Sequence, residues 1–106
     1  MGKKVNWGII GLGKIANKFA SDLLLSENAI LHGVASKNSA KAKAFSFKYN
    51  SSTYYDSYEA LAKDPVVDII YIATPHSEHY ANTLMCLNAG IPVLCEKAFA
   101  VNSRQL

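Results

Sequence analysis

Residues 7–19 read WGIIGLGKIANKF, and two phosphate-binding spellings overlap in them. Counted from Gly11 the stretch is G-x-G-x-x-A; counted from Gly8 it is G-x-x-x-x-G-K. The second spelling fails at Ile15, where a nucleoside-triphosphate loop needs Ser or Thr to hold magnesium. Gly8 also falls inside the apolar, β-prone run Val5 to Ile10, too early for a wrapped loop. The first spelling has the context it needs, a strand before it and a helix after it. Gly11 permits the turn, Gly13 leaves bare backbone for a pyrophosphate, and Ala16 keeps the helix close to the sheet. The helix start at Lys14 and Ile15 offers free N–H groups and a partial positive charge to phosphate oxygens.

Working outward, the same alternation repeats. After Lys14, Ile15, Phe19 and Leu23 recur at helical spacing, with Ala16 and Ala20 widening the face. Ala29 to Ser36 (AILHGVAS) reads as a second strand, with His32 structural within it. Ser39 is a candidate cap for a helix whose Ala40, Ala44 and Phe47 share a face. STYYD is a short third strand, and Ser57 or Asp56 can cap YEALAKD, which Pro65 ends. VVDIIYIATP is almost unbroken apolar, as a strand covered on both faces must be. A helix follows with Tyr80, Leu84 and Leu87 on one face, then Gly90 and Pro92 as stop signals. PVLCEK is the fifth strand, and Asn102 or Ser103 caps an incipient helix. Strand–helix alternation with short connections predicts an α/β, doubly wound parallel sheet of the Rossmann type, in order 3-2-1-4-5. All of residues 1–106 belong to this one nucleotide-binding domain, and the chain stops before a sixth strand.

Composition narrows the function. The 106 residues are half hydrophobic, with Lys and Arg exceeding Asp and Glu by 11 to 8. The basic residues are scattered without an aromatic stripe, which argues against nucleic acid. No window has transmembrane length, and the start is neither a signal peptide nor a full myristoylation motif, since position six is Asn6. Cys86 and Cys95 form no C-x-x-C, so reduced, buried thiols in a cytoplasmic protein are expected. Asn50-Ser51-Ser52 spells a glycosylation acceptor, which means little without a secretion signal.

The polar clusters fall at the carboxyl ends of the strands, where open parallel sheets bind ligands. NAD sites place an acid roughly 20 residues after the glycines, at the end of strand two, to bind the ribose 2′-OH. Here Ser36 and Lys37 stand in that place. A carboxylate repels a 2′-phosphate, whereas a hydroxyl and an ammonium hold one, so NADP is expected over NAD. Thr74 and Pro75 shape the turn after strand four, and His76 and His79 enter the next helix. Two histidines at i, i+3 without a third ligand make a poor metal site, and none is assigned. Glu96 and Lys97 end the fifth strand at the same edge. Lys97 is a candidate proton donor to a substrate oxygen, with a rim salt bridge as the structural alternative.

Together GIIGLGKIA, SYEALAKDPVVDIIYIAT and ATPHSEHYANTLMCLNAGIPVLCEKA resemble the glucose-fructose oxidoreductase, inositol dehydrogenase and rhizopine-catabolism (Gfo/Idh/MocA) family over nearly the whole chain. SYEALAKDP, MCLNAG and VLCEKAFAVN look most like its dihydrodiol and xylose dehydrogenase branch. The resemblance implies an NAD(P)-dependent dehydrogenase acting on a sugar, polyol or diol. It implies that Thr74, Pro75 and His79 lie along the cofactor and that Glu96 approaches the nicotinamide ribose. It makes Lys97 catalytic, in contact with substrate. The family's E-K-P is Glu96, Lys97, Ala98 here. A cis bond in place of that proline costs about 2.5–4 kcal/mol, which predicts a different direction for Lys97. Family members continue into a second domain that carries most of the substrate pocket and usually a homo-oligomer interface. By that comparison the chain is a fragment, inactive alone. The other reading is a stand-alone NADP(H)-binding regulatory module.

Overall fold

The computed structural model describes residues 4–95. Five strands form one parallel sheet: β1 (Val5–Ile10), β2 (Ala29–Ala35), β3 (Thr53–Tyr55), β4 (Ile69–Ile72) and β5 (Val93–Cys95). Their order is β3-β2-β1-β4-β5, as the alternation predicts. Helices α1 (Lys14–Leu23), α2 (Ser39–Tyr49), α3 (Tyr58–Ala62) and α4 (His76–Asn88) connect them. Each parallel crossover returns the chain to the same sheet edge. Every helix therefore starts where a strand has just ended.

The sheet is covered on both faces, and successive side chains alternate between them. Ile9, Val34 and Tyr71 point to the side of α1 and α2 and meet Ala16, Ala20, Leu23, Ala42, Phe45 and Tyr49. Ile10, Ala35, Ile70 and Ile72 point the other way and meet Leu61, Ala62, Cys86 and Ile91. On α1, Phe19 stacks on Tyr71 with ring centroids 3.8 Å apart. Ile15 is half exposed at the helix start rather than buried with Leu23.

Three expectations about α2 and α4 are corrected. The α2 cap is Asn38, not Ser39: its side chain accepts from the Lys41 N–H at 3.0 Å. The buried face of α2 is Ala42, Phe45, Ser46 and Tyr49, while Ala40, Ala44 and Phe47 face outward. Two apolar stripes compete on this helix, and the one with the larger rings facing Val34 is buried. On α4, Tyr80, Leu84 and Leu87 are exposed, and His79, Asn82 and Cys86 turn inward. The buried face of α4 is partly polar: Asn82 on it is satisfied by the Thr74 hydroxyl, a pairing that an apolar pattern cannot reveal.

Other boundaries follow their signals. Ser57 caps α3, accepting from the Ala60 N–H at 3.3 Å, and α3 ends three residues before Pro65. Gly90, at φ +82°, ends α4. Its N–H donates to the Leu87 carbonyl and that of Ile91 to the Cys86 carbonyl, each at 3.0 Å, a Schellman closure. His32 serves structure as expected: its Nε2 lies 3.0 Å from Asp64. Cys86 is buried but Cys95 only half-buried, so one of the two thiols departs from expectation. The cap at Asn102 or Ser103 and the end of the fifth strand lie outside the described residues.

Candidate functional site

Strand β1 ends in a glycine turn that only glycine can make. Gly11 sits at φ +86°, and a Cβ there would lie 2.8 Å from both the backbone N and the Cγ2 of Thr74. Its N–H donates to the Ala35 carbonyl at 3.2 Å, which ties the turn to the end of β2. Gly13 differs. Its φ of −100° and ψ of −154° are ordinary extended backbone, and a Cβ there would meet no heavy atom within 4 Å. The protein itself has room for a side chain at Gly13, so its own packing does not require the bare backbone there. It borders an open cleft of about 860 Å³.

The cleft gathers residues from three strand ends. Gly11, Gly13, Lys14 and Ile15 line it from the β1–α1 turn, Ser36 and Lys37 from β2, and Thr74, Pro75 and His79 from β4. Nine candidates from distant parts of the sequence thus meet in one hollow. Ala16 does not line it. It is fully buried behind the turn, packed between α1 and the sheet. Glu96 and Lys97 lie outside the described residues.

Three further lining residues with polar side chains were not singled out from the sequence: Asn38, Lys41 and Tyr58. Their signal was available, since each follows a strand's carboxyl end within the first turn of α2 or α3. The cleft's charge is one-sided. Lys14, Lys37 and Lys41 line it, with no Asp or Glu among the described lining residues. Such a hollow favours an anion.

The polar groups are held in place. Ser36 is buried, and its Oγ accepts from the Asn38 N–H at 3.1 Å. Lys37 Nζ stands 5.5 Å from the centre of the Tyr58 ring, a cation–π contact. Burial, then the charge of Glu78, pushes the Tyr58 hydroxyl above its ordinary 10.0, so it stays a neutral phenol. Thr74 donates its hydroxyl to Asn82 Oδ1 at 2.6 Å, both side chains buried, pinning the β4 turn to α4. Lys37 and Tyr58 also border an adjoining hollow of about 320 Å³.

The residues fit a dinucleotide. The first turn of α1 presents N–H groups to the cleft at Gly13, where a pyrophosphate needs close approach. Among the described residues no helix is long and apolar enough to cross a membrane.

Comparison with known proteins agrees with this geometry. A model of an oxidoreductase family with an NAD-binding Rossmann fold matches residues 5–106. The chain is 44% identical over 105 residues to trans-1,2-dihydrobenzene-1,2-diol dehydrogenase of Mus musculus, covering 96% of this chain and 31% of that protein. It is 40% identical over 113 residues to D-xylose 1-dehydrogenase (NADP(+)) of Hypocrea jecorina, covering 95% and 29%. The crystal structure of an NAD binding oxidoreductase from Klebsiella pneumoniae superposes with a TM-score of 0.82 at 27% identity, covering 89% of this chain and 27% of that one. The chain therefore spans about a third of the length of the curated relatives it matches.

Proposed function

The chain belongs to the Gfo/Idh/MocA oxidoreductase family, and from that membership we propose that it is the cofactor-binding portion of an NADP-dependent dehydrogenase acting on a sugar, polyol or diol. The observation that carries the reading is Gly13: a backbone with free space beside it, at a helix start, on a cleft lined by lysines. The dehydrogenases it resembles act on a diol and on xylose, both substrates with CH–OH groups. Bound, the nicotinamide would exchange hydride with such a carbon.

The chain's own residues then divide the work. The Gly13 turn, with the backbone of Lys14 and Ile15, receives the pyrophosphate. Ala16 acts indirectly, by letting α1 lie close enough to the sheet for its end to reach the cleft. Ser36 and Lys37 receive the 2′-phosphate, with Lys41 one turn into α2 as a third basic partner. Thr74, Pro75 and His79 wall the side toward β4. Glu96 and Lys97 follow β5 directly, and the family motif gives Glu96 the nicotinamide ribose and Lys97 the substrate oxygen and its proton. A separate substrate domain, a cytoplasmic setting and a homo-oligomeric complete protein belong to the same reading.

Calorimetric titration with NADP and NAD side by side tests it. Tighter binding of NADP is the expected result. Equal affinities remove the 2′-phosphate assignment, and no binding of either removes the cofactor site.

A further inference from the structure

The glycine turn is held from outside by one side chain. The Gly13 carbonyl accepts twice from Asn17: from its backbone N–H at 3.1 Å and from its Nδ2 at 2.9 Å. Asn17 Oδ1 accepts the Tyr49 hydroxyl at 2.7 Å and Lys48 Nζ at 3.2 Å. The three partners of the side-chain amide, the Gly13 carbonyl, the Tyr49 hydroxyl and the Lys48 ammonium, fix its orientation. Turned over, its NH₂ would face an ammonium and its oxygen would face a carbonyl. Tyr49 is itself buried against Phe45, ring centroids 4.7 Å apart, so the tether ends on a fixed group.

The Gly13 carbonyl and the Lys14 N–H share one peptide plane, and in a trans peptide they point opposite ways. A carbonyl drawn along α1 toward Asn17 therefore aims the Lys14 N–H out of the helix end, where Lys14 borders the cleft. We propose that Asn17 is a positioning residue: its side chain, anchored by Tyr49 and Lys48 of α2, sets the Gly13–Lys14 peptide plane so that the Lys14 N–H meets a phosphate oxygen of the bound dinucleotide. This rests on the cofactor reading above. It adds a residue outside the glycine motif, on which the motif's donor geometry depends.

The test compares ADP-ribose, which carries the pyrophosphate, with adenosine 2′-monophosphate, which does not. Both are titrated into the full chain and into its Asn17→Ala and Tyr49→Phe variants. Asn17→Ala should bind ADP-ribose about tenfold more weakly, the scale of one lost hydrogen bond to a charged group. Its affinity for the 2′-monophosphate should not change. Tyr49→Phe keeps the ring packing and should show a smaller loss in the same direction. Unchanged ADP-ribose affinity in Asn17→Ala overturns the proposal, as does an equal loss for both ligands. A wild-type chain that takes neither ligand overturns the cofactor reading and this proposal with it. If wild type takes ADP-ribose but not the monophosphate, the 2′-phosphate assignment falls and the ADP-ribose arm alone decides Asn17.

Discussion

Gly11 and Gly13 stand two residues apart and do opposite jobs. Gly11 is required by the protein, through a left-handed φ and the approach of Thr74. Gly13 is required by nothing in the protein. The Gly13→Val chain should therefore fold with an unchanged far-ultraviolet spectrum and thermal midpoint, yet lose dinucleotide binding in calorimetry. At the end of β2, Ser36→Asp places a carboxylate at the position proposed for the 2′-phosphate and should reverse the proposed preference toward NAD. Retained NADP selectivity in that variant would count against the assignment. Both glycines and Ser36-Lys37 were legible because the chemistry they need is local: a turn, a bare backbone, a strand's end. Asn17 was not, because its role depends on Tyr49 and Lys48, about thirty positions away and unlinked by any pattern.

The elements were easier to locate than to orient. Strand and helix order followed from alternation, since long apolar runs and glycine stops are visible in one dimension. The inward faces of α2 and α4 were not visible. Helix α2 carries two apolar stripes, and only packing decides between them; α4 buries a partly polar face instead. The apolar stripe of α4, from Tyr80 to Leu87, faces out. Helix α3 shows what orientation can contribute. It has five residues, yet Leu61 on it is fully buried and lies over Gly8 and Gly33, which face each other across β1 and β2. A Cβ on Gly33 would come within 2.7 Å of Leu61 Cδ1, so the two glycines make the hollow that Leu61 fills. Truncation to Leu61→Ala leaves that hollow empty and should destabilise the fold by about 2–5 kcal/mol in urea titration. Removal of the α2 cap by Asn38→Ala should cost about 1 kcal/mol.

At the scale of the whole molecule, one polar knot ties β2, β3 and the loop between α3 and β4 together. Asp64, beyond α3, accepts the Tyr55 hydroxyl at 2.7 Å and the Val66 N–H at 2.9 Å, with His32 Nε2 of β2 at 3.0 Å. Its side chain is only 7% exposed. Burial alone would push its carboxyl up; the hydrogen bonds from Tyr55, Val66 and His32 and the histidine's charge outweigh that and hold it below its ordinary 3.8. A carboxyl with a depressed folded value stabilises the chain above its unfolded value, and that contribution is lost as pH falls through the folded one. The same bond acts on Tyr55 in the opposite sense. The hydrogen bond to Asp64, then burial, raises the phenol above 10.0. Its contribution is present below its unfolded value and is lost as pH rises through the folded one. One pair therefore shapes both edges of the stability profile: acid, below about pH 4, and alkaline, above about pH 10. Tyr55→Phe removes the bond and leaves the ring, so urea midpoints across pH should fall less steeply at both edges than in wild type. Asp64→Asn should flatten the acid edge, because its amide does not titrate. Wild-type slopes at both edges in Tyr55→Phe would show that the pair carries no part of the pH dependence.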